Sequence, residues 1–302
     1  MSGRAWAELL ALGAIWGASF FFIRIALDEI GFLTSVAHRT CWAALVLWGV
    51  VWLSRLPLPK APQVWGAFLV MGLLNNMIPF GLMAWGQLHI ESGLVSILNA
   101  ATAIFGVIAA ALFFADERLT ARKALGVALG FGGVATAIGW EQLLSLNIQS
   151  LAQLAVIAGT ISYALASVWA RKFLTNMAPQ VAAAGMLTGS SLIALPAAWL
   201  IEGPLTLDLQ PRTWMAIGYY SIIATAGAYL LYYRVLAMAG SGNLMLVTLL
   251  IPPIAITLGA AFLGEALAPN AFAGFAVLAL GLIVLDGRLF TALRIDRRDA
   301  QS

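Results

Sequence analysis

Residues 92–135 and 241–283 carry one pattern twice. Ser92-Gly93 corresponds to Ser241-Gly242, and Glu117, Leu119, Gly126 and Gly133 correspond to Glu265, Leu267, Gly274 and Gly281. Partners stand 149 residues apart at the first pair and 148 at the other four, and Phe114 with Phe262 fits the same frame, so one single-residue indel aligns the whole element. The chain is an internal duplication, and both fold and function have to respect that symmetry.

The two copies lie in a strongly apolar background. Hydrophobic residues make up 62% of the 302 and charged residues 10%, with a mean hydropathy of +0.94. Crossing the hydrocarbon core of a bilayer takes about 20 mostly apolar residues. Ten such stretches occur, at 7–27, 33–53, 64–87, 93–115, 121–140, 151–171, 180–201, 213–236, 242–263 and 269–287. The longest gaps, 54–63 and 202–212, hold proline, glycine and charge and read as short connectors. The apolar runs are continuous rather than alternating, which excludes a transmembrane β-barrel. The expectation is an all-α polytopic membrane protein.

Lysine and arginine orient the spans. With the N-terminus in the cytoplasm, the inner segments hold Arg4, Arg55, Lys60, Arg118, Arg122, Lys123, Arg171, Lys172, Arg288, Arg294, Arg297 and Arg298, and the outer loops only Arg212. Ten helices then place both termini in the cytoplasm. Five helices per copy is an odd number, so the second copy must enter the membrane from the opposite side. The expected organisation is a first five-helix repeat at 1–145, a second, inverted one at 146–290 and a cytoplasmic tail at 291–302. The first helix of each half supports it: Ala14–Arg24 aligns with Ile161–Arg171, pairing Trp16 with Tyr163 and Arg24 with Arg171. Helices three and eight pair Phe80 with Tyr229 and Met83 with Tyr232, while helices two and seven match poorly. Inverted repeats about an axis in the membrane plane build carriers with a midplane site and alternating access.

The pI of about 9.2 does not indicate nucleic acid, because the basic residues are dispersed along loop ends. Arg294, Arg297 and Arg298, interleaved with Asp296 and Asp299, read as a solvated tail near anionic lipid. Cys41 is the single cysteine and lies inside the second span, which leaves no disulfide or cysteine-based metal site. Arg4 precedes an apolar stretch too long for a signal peptide, so the first helix is expected to be retained.

The segment Trp16–Arg24 (WGASFFFIR) and the paired E-x-L…G…G endings at 117–133 and 265–281 resemble the EamA-type drug/metabolite transporters. Within that superfamily the length and aromatic-rich interior are most similar to bacterial inner-membrane exporters of aromatic amino acids. The resemblance implies ten helices, of which the fifth and tenth are peripheral and the other eight surround a cavity, and export of small metabolites. It implies a small-molecule substrate and the lipid bilayer as partners, and no cofactor and no metal. The oligomeric state is left open, a monomer sufficing.

No span holds an aspartate or glutamate near its centre. Glu117 and Glu265 fall at helix ends, Glu8 and Asp286 near the cytoplasmic surface. A buried carboxylate is the usual device for proton exchange or for capturing a permanent cation. The small multidrug relatives carry such a glutamate in their first helix, where this chain offers Trp16, Ser19 and Phe20. A carrier of neutral or zwitterionic solutes is therefore favoured over an obligate cation–proton antiporter. The mid-depth polar groups suit a zwitterion: Asn75, Asn76, Asn99, Thr102, Tyr163, Tyr229, Tyr232 and Thr248. Asn76, Phe80 and Met83 share one helical face, and Trp16 with Phe20 forms a similar stripe. An apolar wall with a few convergent polar groups is how small-molecule sites are composed. The aromatics serve equally as helix packing, and the asparagines as interhelical hydrogen bonds.

Arg39 lies about two turns inside helix two, beside His38, whereas Arg24 and Arg234 are near enough to helix ends to snorkel. It either attracts a substrate carboxylate or pairs with Asp28, Glu29 or helix-end carbonyls. Any proton coupling would run through His38 or His89, the side chains whose ordinary pKa lies near neutrality. Pro79 and Pro252-Pro253 are expected to interrupt helices three and nine and to act as gate pivots. Gly126 and Gly130 on helix five, and Gly274 and Gly281 on helix ten, form small faces suited to close packing within the fold, and dimerisation through them is left open. No HExxH, GxSxG or paired-acid motif within the spans suggests an enzyme. The reading is a transporter exporting amino acids, aromatic ones included. A broad drug exporter is the alternative, and a channel or non-transporting membrane protein a remote one.

Overall fold

Absence of water in hydrocarbon forces backbone groups to pair within the chain, and the described residues of this chain answer with helices. The computed structural model describes residues 1–139, 141, 147–175 and 177–287; the expected tail at 291–302 lies outside them. Among the described residues the membrane-length helices are α1 (Gly3–Ala26), α2 (Phe32–Leu53), α3 (Pro62–Gly86), α4 (Ser92–Phe113), α5 (Ala121–Ile138), α6 (Ile148–Phe173), α7 (Pro179–Glu202), α8 (Pro211–Gly240), α9 (Val247–Leu263) and α10 (Pro269–Asp286). Each overlaps one expected span. All but α9 reach 18 residues; α9 has 17. Gly240, at φ 75° and ψ 166°, breaks the chain between α8 and α9. A helical turn to Leu244 and a turn at Met245-Leu246 precede α9.

Local chemistry sets the helix starts. Proline, whose missing N–H does no harm in the first turn, opens α3, α7, α8 and α10. Thr120 and Asn147 cap α5 and α6 by accepting from the N–H of Lys123 and Ser150. Three other starts are capped by glutamates from distant helices, all at the end of the bundle remote from the N-terminus. Glu202, closing α7, accepts from Leu33 N–H at 2.9 Å and Thr34 N–H at 2.8 Å at the head of α2. Glu265, just past α9, accepts from Ser92 N–H at 3.0 Å, Ser92 Oγ at 2.8 Å and Gly93 N–H at 3.3 Å at the head of α4. Glu29, past α1, accepts from Gln210 N–H at 3.0 Å and from the Thr213 hydroxyl at the head of α8. A carboxylate at a helix N-terminus satisfies orphan donors and complements the macrodipole.

Packing repeats between the halves. α1 lies against α8 and α9, and α6 lies against α3 and α4 in the same way; α2 pairs with α7 and α5 with α10. At the N-terminal end, Arg171 at the foot of α6 bonds Asp116 at 2.5 Å and approaches Glu117, which also holds Lys123 at 2.9 Å. The Arg171 guanidinium holds the Asp116 carboxyl below its ordinary range. Large apolar side chains such as Trp52, Leu200 and Phe262 project from the bundle, as lipid-facing surfaces require.

Three helices depart from regularity, and only one of them beside a proline. α3 shifts register in a π-helical stretch, Leu73–Met77, immediately before Pro79, and α8 does so at Tyr219–Gly227 with no proline present. α4 breaks at Ala100-Ala101. The expected interruption at Pro252-Pro253 is absent: both prolines sit inside the continuous α9, and the break falls earlier, at Gly240 and Met245-Leu246. The glycine faces of α5 and α10 are used against each other within one chain. A Cβ at Gly281 would stand 2.7 Å from Gly130 N and 2.8 Å from Gly126 O. Gly281→Ala is expected to lower the melting midpoint in detergent, by about 1–3 kcal/mol of overpacking. Gly132→Ala, whose Cβ meets nothing within 4 Å, should leave it unchanged; equal melts would refute this account of the α5–α10 contact.

Candidate functional site

Arg39 is the eighth of the 22 residues of α2, so its Cα lies about 5 Å along the axis from the helix midpoint at 1.5 Å per residue. Its Nε donates to Thr225 Oγ1 at 2.9 Å, and its guanidinium carbon sits 3.8 Å from the centroid of the Phe80 ring. The expected pairing with Asp28 or Glu29 is not made. Asp28 is taken by Arg24 and Arg212, Glu29 by Gln210 and Thr213. Among the described residues no carboxylate forms an ion pair with Arg39. An arginine at the bilayer centre costs about 2.5–3.5 kcal/mol on insertion scales. A cation–π contact returns roughly 0.5–2 kcal/mol and a hydrogen bond to a charged group about 1.5–3 kcal/mol, so the charge is held without an acid.

The π-helical stretches supply the rest. A π turn frees carbonyls from the regular ladder, and hydroxyls take them up: Thr225 Oγ1 donates to Tyr220 O, five residues back, at 2.7 Å, and Ser162 Oγ on α6 donates to Leu74 O at 2.7 Å. Asn75 and Asn76 fall within the α3 stretch. Asn75 Nδ2 donates to the Tyr229 hydroxyl at 3.2 Å, and that hydroxyl donates to Asn76 Oδ1 at 3.3 Å. Asn76 is fully buried, and its Nδ2 has no partner. Phe80, one turn on, meets Tyr163 edge-on with centroids 6.5 Å apart. Arg39, Asn75, Asn76, Phe80, Tyr163 and Tyr229 thus form one constellation from α2, α3, α6 and α8. Trp16 joins its α8 side, donating from Nε1 to Ala224 O at 3.1 Å and lying 5.9 Å from the Tyr232 ring.

The remaining expected residues are placed differently. Ser19 and Thr102 donate to carbonyls three residues back in their own helices, Trp16 O and Asn99 O, and Thr248 donates to Met245 O in the turn before α9. Phe20 and Met83 are buried in the largest apolar cluster. Asn99 closes the first segment of α4, with its Oδ1 buried and unpartnered. His38 accepts from Trp42 at Nδ1, faces Trp214 and leaves Nε2 unpartnered. Pro79 stands at the second position of the helix that follows the π turn of α3. Sequence reasoning missed Thr225; its signal was a hydroxyl at mid-depth in α8, at the position that aligns with Asn76. Two surface clefts lie at the bundle's ends, one lined by Trp48, Trp52 and Arg55, the other by His89, Glu91, Gln153 and Asn270, and the constellation belongs to neither. Among the described residues no three His, Cys, Asp or Glu side chains gather as a metal site would require.

Helices from two matching halves, broken at mid-depth around shared polar groups, are the build of a membrane transporter. The chain belongs to the EamA-like transporter family, whose sequence profile matches residues 4–139 and again 150–285, within the drug/metabolite transporter superfamily. It is 25% identical over 93% of its length to the uncharacterized transporter YvbV of Bacillus subtilis, covering 91% of that protein. It is 25% identical to the uncharacterized inner membrane transporter YedA of Escherichia coli, over 94% of this chain and 92% of that one. A relative from Streptantibioticus cattleyicolor, named a probable terminal-alkyne amino-acid exporter, is 24% identical over 95% of each chain. One solved crystal structure shares the fold at a TM-score of 0.65 and 16% identity, spanning 94% of this chain and 98% of its own.

Thr225→Val keeps the side-chain shape but removes both hydrogen bonds of the hydroxyl, leaving Arg39 without its hydrogen-bond partner. It is expected to destabilise the protein by about 1.5–3 kcal/mol in denaturant melts in micelles, whereas Thr248→Val stays near wild type. Matching midpoints for the two variants would show that Thr225 does not hold Arg39.

Proposed function

We propose that the protein exports small neutral or zwitterionic metabolites, amino acids including aromatic ones, from the cytoplasm across a bacterial inner membrane by alternating access. The observation that carries the reading is the mid-depth constellation: amides, phenols and aromatic faces from both halves, with no carboxylate among the described residues that form it. Apolar walls suit an aromatic or aliphatic side chain, and convergent hydrogen-bonding groups suit its polar end. The relative named as an amino-acid exporter supports the same solute class.

The substrate's ring or side chain would rest against Trp16, Phe80 and Tyr229 and its head groups on Asn76, Asn99 and Tyr163. Residues 1–145 and 146–290 would act as inverted repeats, with α1–α4 and α6–α9 rocking about the site and Pro79, beside the π turn of α3, as a pivot. Basic residues at the N-terminal end of the bundle, among them Arg4, Arg55, Lys60, Arg118, Arg122, Lys123, Arg171 and Lys172, support cytoplasmic termini. No reaction is catalysed; the work is rearrangement, and the solute gradient drives it. A broad exporter of lipophilic cations is disfavoured by Arg39, since like charges repel in a poorly screened interior.

Counterflow tests the reading. Purified protein in liposomes preloaded with unlabelled phenylalanine should accumulate labelled phenylalanine above protein-free liposomes with no pH gradient. Tyr229→Phe, which removes the hydroxyl tying Asn75 to Asn76, should raise the half-saturating concentration about threefold to tenfold, as the loss of one or two net hydrogen bonds predicts. Folded protein that exchanges neither phenylalanine nor any other neutral amino acid would reject the proposal.

A further inference from the structure

A transported zwitterion presents two charges, and the site is built for one of them. Arg39 has five N–H donors in a rigid fork, and the structure engages one, Nε, with Thr225. Phe80 packs against the guanidinium carbon, and the phenols of Tyr163, Tyr220 and Tyr229 lie within electrostatic range. One turn from Phe80 along α3, the buried Asn76 Nδ2 adds another donor without a partner. For an ammonium group the provision is poorer. Asn76 Oδ1 already accepts from the Tyr229 hydroxyl and from Asn75 Nδ2, the unpartnered Asn99 Oδ1 is a neutral acceptor only, and no acid stands in the constellation.

We propose that Arg39 is the carboxylate-recognition residue of the site, with Asn76 Nδ2 as an auxiliary donor. The site then selects the carboxylate end of its substrate and is nearly indifferent to the amine. A guanidinium fork matches a carboxylate bidentately, and such charge-assisted pairs are strong where water is excluded. The substrate class therefore widens to organic monocarboxylates that carry an aryl or alkyl group, the deaminated counterparts of amino acids. Amines that lack a carboxylate are disfavoured. This inference rests on the export reading above and adds to it a direction of recognition that the reading alone does not contain.

The test is competition against labelled phenylalanine counterflow in wild-type proteoliposomes at pH 7. 3-Phenylpropionate, which keeps the ring and carboxylate, is expected to compete within about threefold of unlabelled phenylalanine. Phenethylamine, which keeps the ring and ammonium, should be at least about tenfold weaker, the factor that 1.4 kcal/mol sets. Arg39→Gln should weaken 3-phenylpropionate by about tenfold or more, and Arg39→Lys, which keeps the charge but not the fork, by less. Phenethylamine competing as well as 3-phenylpropionate would overturn the proposal whether or not the Arg39 variants fold, and so would a folded Arg39→Gln protein with unchanged competition. Should the wild type show no amino acid exchange, the export reading fails, and calorimetric titration of purified wild type with 3-phenylpropionate and then phenethylamine still decides the role of Arg39. Tighter binding of the carboxylate upholds it, and equal or no binding rejects it.

Discussion

Every feature of this molecule answers to one constraint: inside hydrocarbon, a backbone polar group or a charge without a partner has no water to turn to. Regular helices meet it for most of the chain, so departures from regularity are informative. Departures fall at mid-depth in α3 and α8, where π turns release carbonyls, and each released group shown has been claimed by a hydroxyl, Leu74 O by Ser162 and Tyr220 O by Thr225. π turns recur at functional sites because they shift side chains out of the regular register. Here they bring Asn75, Asn76 and Thr225 onto the same centre as Arg39. Helix heads obey the constraint too, with Glu29, Glu202 and Glu265 capping partners remote in sequence and so tying α1 to α8, α7 to α2 and α9 to α4.

The duplication makes unequal parts comparable. Glu265 and Glu117 are repeat counterparts, yet they do different things. Glu265 reaches across to cap Ser92 and Gly93 at the head of α4, while Glu117 is engaged by Lys123 and approached by Arg171 at the opposite end of the bundle. The same element therefore stands in two arrangements in one molecule. Alternating access by inverted repeats amounts to the halves exchanging such arrangements, and the proposed rocking needs no parts beyond those already present.

Hydropathy made the ten spans legible because burial of about 20 apolar residues is a long-range, additive signal. The duplication made the correspondence of helices one and six, and of three and eight, legible as well. The sites of irregularity were not, because a proline is neither necessary nor sufficient for one. α8 shifts register over Tyr219–Gly227 without a proline, and α9 runs straight through Pro252-Pro253. Polarity at mid-depth identified Asn75, Asn76 and Tyr229, whose amides and phenol meet in one network. It could not separate them from Ser19, Thr102 and Thr248, whose hydroxyls are spent on carbonyls three residues back. That distinction depends on which way a short side chain turns, and residue type does not encode it. The fate of Arg39 was open for a similar reason: Asp28 and Glu29 are near in sequence, but α8 competes for both through Arg212, Gln210 and Thr213.

An uncompensated cation at mid-depth bears on movement as well as on recognition. A carrier passing between open states goes through a closed one from which water is largely excluded, and there the self-energy of an unpaired charge is greatest. Arg39 has a hydroxyl and a ring for company, which hold it but do not neutralise it. On the proposed reading, a bound carboxylate supplies the missing charge at the stage where its absence costs most. Substrate then lowers the barrier between states rather than only occupying one of them, because a ligand shifts or speeds a transition only to the extent that it interacts differently with its stages. Exchange of one carboxylate for another becomes faster than return of the empty carrier, a kinetic consequence of placing one arginine, without an acid, between two halves that must close around it.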